Sequence, residues 1–327
     1  MRQLTVNFAI AEAVEKEILL DKNVVVIGED IYNGGGLGTY IGIAQKYPEN
    51  IIEMPICESG FSHFGNGAAL AGARPIVDLM FSDFATIATD AIYNGAAKMR
   101  FCTLGEASVP ITYVLGDGGM GTYDGVGSGC NHSQSVISLF MNCPGLKVVV
   151  PHYPSDCLGL LRASIRDNDP VLFFYHEGSL GLREQVTEED YIIPLTNAAK
   201  IRREGKDITI IAIQSMLPLA EKAAEELAAK GISVELIDPR VLIPLDKKKI
   251  IESVKKTGRL IIAHEAPTRG SFAGEIIREI VEEDPGMLKA PAKVIGAMNS
   301  PIGSGFAEAY IMPHVKDFVE AAEKMCK

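Results

Sequence analysis

The sequence predicts an α/β protein built from two doubly wound domains, and three observations carry that expectation. Short, continuous apolar runs such as VVVIG at 24–28, PITYVL at 110–115 and VLFFY at 171–175 alternate with segments of helical period. Strands that are apolar on both faces belong to a parallel sheet covered by helices on each side. The length of 327 residues, 47% of them hydrophobic and 22% charged, suffices for large cores and excludes a disordered chain. The alternation also stops over 176–198, a polar, acidic and aperiodic stretch, and then restarts. This places a first domain at 1–185, a linker at 186–198 and a second domain at 199–327.

Each element follows from its local pattern. Val6, Ala9, Ile10, Ala13, Val14 and Ile18 recur at helical spacing over 5–20, and the strand at 24–30 ends in acids. A glycine-rich loop at 33–40 and a short helix at 41–47 come next. The small, apolar residues 61–72 suit a helix lying close on a sheet. Further strands are expected at 75–80, 110–115, 146–150 and 171–175, with helices at 83–100, 134–141 and 155–167. In the second half, strands at 208–213, 232–237 and 259–263 alternate with helices at 218–230, 246–256 and 270–283. Pro218 fits a first helical turn and Gly231 a C-terminal cap.

Charge narrows the possible partners. Lys and Arg number 31 against 42 Asp and Glu, a net charge of -11 that repels phosphate backbones and anionic lipid. Nucleic acid and membrane are therefore not expected partners. No apolar run approaches the ~18–20 residues that span a bilayer. Glu12, Glu15 and Glu17 do not belong in a secretory signal, so the N-terminus reads as mature, cytoplasmic sequence. The six cysteines form no CxxC pair and no metal-ligand spacing, which suits reduced structural thiols.

Two stretches could carry chemistry. In MPICESG, 54–60, Glu58 lies between a strand and a small-residue helix with apolar neighbours. A carboxyl with so little solvation can exchange a proton near neutral pH; an acid favoured by the helix macrodipole is the plainer alternative. The glycine-dense stretch 116–131 runs into HSQS at 132–135. Glycine is used where a backbone takes positive φ or approaches a ligand closely. His132, at the end of that loop, is a better catalytic candidate than a histidine on an apolar strand such as His264. NGGGLG at 33–38 lacks the spacing of a dinucleotide fingerprint, and no phosphate-binding GxxxxGK[ST] occurs.

Several blocks together resemble one family. GED followed by GGxLG, PICESG, RPIVDLMFSDF, NGAAKMRF, NHSQS, CPGLKVVVP, SIRDNDP, IDPRVLIPLD and SVKKTGRLIIAHEAP extend over nearly the whole chain. They are similar to the beta subunit of thiamine-diphosphate-dependent 2-oxo acid dehydrogenases, which include the pyruvate, branched-chain and acetoin enzymes. The resemblance implies a transketolase-like pyrimidine-binding domain followed by a transketolase C-terminal domain. It implies a shared cofactor whose pyrimidine lies in this subunit, while an alpha subunit supplies the Mg²⁺-diphosphate site in an assembly of two alpha and two beta chains. Glu58 matches the glutamate that hydrogen-bonds the pyrimidine N1′, where sharing a proton favours the tautomer that deprotonates the thiazolium ring. Phe81 and Phe84 match an aromatic pocket for the pyrimidine, and Glu29 an acid at its rim. His132 matches the histidine that assists acyl transfer to a lipoyl group. Ser164, Asp167 and Asp169 fall where some relatives bind structural K⁺.

The sequence also departs from the family. Gly116-Asp117-Gly118 looks like the Mg²⁺-binding GDG of thiamine diphosphate enzymes, but the asparagine pair that completes such a site is reduced to Asn142. Relatives often carry LDAP where this chain has LKAP, and Lys289 puts docking on a lipoyl acyltransferase core in doubt. Two other readings remain: the C-terminal half of a split transketolase, and a non-catalytic paralogue. The first would need basic residues for sugar phosphate, against the acidic balance. The second sits poorly with the presence of both Glu58 and His132.

Overall fold

A computed structural model describes residues 1–119 and 127–327. Its strands are β1 (Arg2–Thr5), β2 (Val24–Gly28), β3 (Ile51–Glu53), β4 (Arg74–Phe81), β5 (Thr112–Asp117), β6 (Lys147–Val149) and β7 (Val171–His176). Then come β8 (Arg183–Val186), β9 (Lys200–Arg203), β10 (Ile208–Ala212), β11 (Val234–Asp238), β12 (Val241–Ile243), β13 (Leu260–Pro267) and β14 (Lys293–Ala297). Seven strands form one sheet in the order β12-β6-β7-β5-β4-β2-β3, and five form another in the order β14-β13-β10-β11-β9. Both sheets are parallel except at an edge, where β12 runs antiparallel to β6 and β9 antiparallel to β11. This is the two-sheet α/β architecture expected of near-continuous apolar strands.

Helices cover the sheets because their apolar stripes have nowhere else to go. The helix Val6–Leu20 packs its buried face against the helix Pro154–Arg166. There Glu17 accepts from Arg162 Nε at 2.8 Å, and both side chains are buried. Gly65 lets the helix Glu58–Leu70 approach the first sheet, since a Cβ would stand 2.7 Å from Val77. In the second sheet, the helix Met216–Ala229 buries Met216, Leu217, Ala220, Ala223, Ala224 and Leu227.

Some elements differ from expectation for identifiable reasons. The helix expected at 83–100 is broken into a 3₁₀ turn Ser82–Thr86, a π-helical turn Ala91–Ala96 and a short helix Met99–Cys102. Asn66 Nδ2 donates to the Ala91 carbonyl at 2.8 Å, and only a glycine at 95 leaves room for that amide. The ladder shifts accordingly, with Ala97 N bonding Ile92 O. The helix expected at 134–141 shrinks to Ile137–Phe140, because side chains already hold the backbone of Gln134. Within the polar stretch 176–198, β8 pairs antiparallel with β1 as a separate ribbon. Its exposed residues erase the apolar alternation that marks the other strands.

The halves interlock. The edge strand β12 of the first sheet comes from the second half of the chain, through Val241 opposite Val149. Asp156, 1% exposed, pairs with Arg202 and with Arg240 Nη1 at 2.7 Å, while Arg202 also donates to buried Asp238 at 2.6 Å. The Arg202 guanidinium lies over the Tyr153 ring at 4.4 Å.

Candidate active site

Because β2, β3, β4, β5 and β7 are parallel, the residues that follow them gather at one edge of the sheet. Ligands in open α/β sheets bind at that edge. Glu29 follows β2, Glu58 comes after β3, Phe81 ends β4 and Phe84 lies in the 3₁₀ turn after it, His132 follows β5 in the chain, and Glu177 follows β7.

Glu58 is the first residue of the helix Glu58–Leu70 and is 7% exposed. Glu29 is near enough to feel its charge. Burial first, and then the charges of Glu58, Asp30 and Glu53, push the Glu29 carboxyl above its ordinary value. The Oε2 atom of Glu29 is shielded from solvent and has no hydrogen-bond partner. Such an orphaned acceptor fits a ligand that brings donors.

The aromatic residues meet His132. Its ring stands 4.7 Å from Phe81 and 5.3 Å from Phe84 between centroids, edge to face in both cases, and the two phenylalanines are 5.6 Å apart. A register shift between Asp78 and Phe81 turns β4 here. Met80 takes a φ of 58°, held by its N–H donating to Asp78 Oδ1 at 2.6 Å. Burial raises that aspartate to about 6. Non-glycine residues in this region cost of order 1–3 kcal/mol and recur at functional sites.

Gly118, Gly119 and Gly127 serve a purpose that the sequence did not disclose: close approach to carboxylates of the second half. A Cβ on Gly118 would overlap the Glu265 carboxylate, and one on Gly119 or Gly127 would overlap Glu308. Gly119 N donates to Glu265 Oε1 at 2.6 Å, His176 Nε2 lies 2.6 Å from Glu265 Oε2, and Ser215 Oγ donates to the same oxygen. Burial opposes a charge on His176, but Glu265, with Asp117 and Glu308 behind it, raises the imidazole. Burial, with the Glu265 charge behind it, lifts Asp117 to about 7. Burial, with Asp117, Glu265, Asp83 and Glu308 around it, lifts Glu177 to about 9. Residues 120–126 of the glycine-dense stretch lie outside the described residues.

The remaining candidates sit elsewhere. Ser164, Asp167 and Asp169 flank the opposite edge, where Lys147 Nζ lies 2.6 Å from both Asp167 oxygens and Arg100 Nε 2.6 Å from Asp169. Arg74 Nη1 takes the carbonyls of Ile165 and Asp167, and Ser164 Oγ donates to Leu160 O. Cationic side chains thus lie on oxygens of Asp167 and Asp169, while Ser164 bonds to the backbone. Among the described residues no group of three or more His, Cys, Asp or Glu is arranged around a metal position. His264 is buried against Phe272, and burial drops it to about 4. All six cysteines are free thiols. No described helix is long and apolar enough to cross a membrane. Sequence reasoning passed over Asp83, Gln134, Glu177 and Glu265; for Gln134 the only local signal was its place two residues after His132.

Residues 2–183 match the pyrimidine binding domain of transketolase, and residues 197–317 match the transketolase C-terminal domain. The mitochondrial pyruvate dehydrogenase E1 component subunit beta of Pisum sativum is 39% identical over 99% of the chain and 91% of that subunit. The acetoin:2,6-dichlorophenolindophenol oxidoreductase subunit beta of Cupriavidus necator is 37% identical over 100% of the chain and 98% of that subunit. The 2-oxoisovalerate dehydrogenase subunit beta of Bacillus subtilis is 38% identical over 96% and 95%. Among solved structures, a split-gene transketolase described as an inactive beta4 tetramer superposes with a TM-score of 0.79 at 22% identity, over 99% of this chain and 98% of that one, a likeness of fold. With two transketolase domains in this order and full-length identity near 40%, the chain belongs to the transketolase-like family of 2-oxo acid and acetoin dehydrogenase beta subunits.

Proposed function

We propose that this chain is the beta subunit of a thiamine-diphosphate-dependent dehydrogenase of the pyruvate or acetoin type, active only with an alpha subunit, in the cytoplasm. The observation that carries the reading is the pair of carboxyls at the sheet edge, buried Glu58 beside Glu29 with its unpartnered Oε2. A pyrimidine ring with N–H groups matches that acceptor chemistry. When bound, thiamine diphosphate supplies the nucleophilic carbon that protein side chains lack.

The chain's own residues then divide the work. Glu58 holds a proton at its carboxylate against the ring nitrogen, and the low-dielectric setting strengthens that hydrogen bond. Glu29 remains the rim acceptor. Phe81 and Phe84 exclude water and offer aromatic surface to a flat ring. His132, packed against both, is the proton-transfer group for passing the acyl product to a lipoyl sulfur. Burial and the neighbouring Glu265 charge lift Asp117 to about 7 and favour its protonated form, a weak ligand for Mg²⁺, which supports an alpha subunit as the holder of the metal and the diphosphate. An assembly of two alpha and two beta chains suits this sharing.

A structural K⁺ at Ser164, Asp167 and Asp169 would compete with Lys147 and Arg74 at Asp167 and with Arg100 at Asp169, so these cations take its place beside the two aspartates. Docking on a lipoyl acyltransferase core would meet the exposed Lys289, whose stem covers Gly258.

The test is co-purification with a candidate alpha subunit, assayed with pyruvate, branched-chain 2-oxo acids and acetoin. The mixed complex should bind Mg²⁺-thiamine diphosphate in calorimetry and the isolated chain should not. Glu58→Gln should assemble normally and lose at least about 100-fold in oxidative decarboxylation. Full activity in that variant removes Glu58 from the mechanism.

A further inference from the structure

His132 follows the glycine-dense stretch 116–131, and a group that must meet a substrate within a fraction of an ångström needs its backbone held. The stiffness comes from Gln134. Its backbone N–H donates to Asp83 Oδ2 at 3.1 Å, and its carbonyl accepts from Ser82 Oγ at 2.8 Å. Its side-chain amide reaches into the second half of the chain: Nε2 donates to Ile302 O at 3.1 Å, and Oε1 accepts from Ile302 N at 3.2 Å. The same Nε2 donates to Cys130 O at 3.0 Å, which closes the turn around His132 itself. Ser82 and Asp83 lie between Phe81 and Phe84, the two rings against which His132 packs. One residue therefore joins the aromatic floor, the histidine turn and the segment at Ile302.

We infer that Gln134 is a positioning residue for His132, through which the C-terminal domain sets the geometry of acyl transfer without lending a group to the reacting atoms. The inference rests on the assignment of His132 to that step. An amide matched to both the backbone N–H and the C=O of one residue fixes distance and orientation together, which a single hydrogen bond does not. At the other end of the loop, Gly119 N is pinned to Glu265. Both ends of the loop are thus anchored on the second domain. A displacement of about 1 Å at a reacting group can cost about 100-fold in rate, so loss of this anchor falls on the step that uses His132.

The test uses the enzyme assembled with its alpha subunit and the 2-oxo acid it oxidises fastest. Two rates are measured, reduction of an artificial electron acceptor and reductive acylation of free lipoamide. Gln134→Ala should lower lipoamide acylation about tenfold more than acceptor reduction. Gln134→Glu, which keeps the volume but loses both side-chain donors, should shift the ratio in the same direction and guards against a folding defect. In the double variant with His132→Ala, the Gln134 effect should vanish. If His132→Ala is selective for acylation while both Gln134 variants lower the two rates equally or not at all, the inference is overturned and the role of His132 stands. If His132→Ala is not selective, the role of His132 falls and takes the inference with it.

Discussion

Glu177 is 2% exposed, neither carboxyl oxygen has a hydrogen-bond partner, and Asp117, Glu265, Asp83 and Glu308 surround it with like charge. The fold therefore keeps this carboxyl protonated up to about pH 9, whereas a glutamate in the unfolded chain titrates near 4.5. Between those values the native state binds one proton more than the unfolded state, so stability falls as pH rises. The slope is about 1.4 kcal/mol per pH unit. Below the unfolded value Glu177 exerts no penalty; at pH 7 the penalty is about 3 kcal/mol, and it levels off above about pH 9. Glu177→Gln imitates the protonated side chain at every pH and should remove it. Urea unfolding of both proteins at pH 6, 7 and 8 reads the effect. The glutamine variant should be more stable by about 3 kcal/mol at pH 7, with an advantage that grows by about another 3 kcal/mol from pH 6 to 8. Parallel pH profiles for the two proteins would refute the reasoning, because they would mean that Glu177 ionises as freely in the fold as in the open chain.

Two further perturbations probe the same seam and the clamp beside it. Asp156→Ala strips Arg240 of its carboxylate while Arg202 keeps Asp238, so the loss should sit at the low end for a broken buried pair, about 3 kcal/mol, read from the denaturant midpoint; a loss under about 1 kcal/mol would contradict it. Gly118→Ala places a methyl into the Glu265 carboxylate and 2.7 Å from His176 Nε2, at a φ of +78°. It should destabilise by about 2 kcal/mol or more and slow acyl transfer, and an unchanged melting temperature would show that the loop has room to spare.

Much of the architecture was legible because it is written locally. Helical period over 6–20 and 216–229 and unbroken apolar strands in both halves need only neighbours in sequence to be read. Glu58 was conspicuous for the same reason, lodged between a strand and a helix of small residues. The break in the segment 83–100 was not legible, because the amide that shifts its hydrogen-bond ladder comes from Asn66. Neither was the ribbon of β1 and β8, whose partners lie about 180 residues apart.

Composition and period alone determined the class of fold, the covering of parallel sheets and the few segments where chemistry could reside. Only the tertiary structure decided why the loop after β5 is rich in glycine, which carboxyls lose their charge, and what holds His132 in place. The reason is physical: local pattern reports which face of an element avoids water, whereas desolvation, like-charge crowding and amide clamps arise between groups such as Gly119 and Glu265 or Gln134 and Ile302. Those pairs meet only when the two sheets have closed on each other.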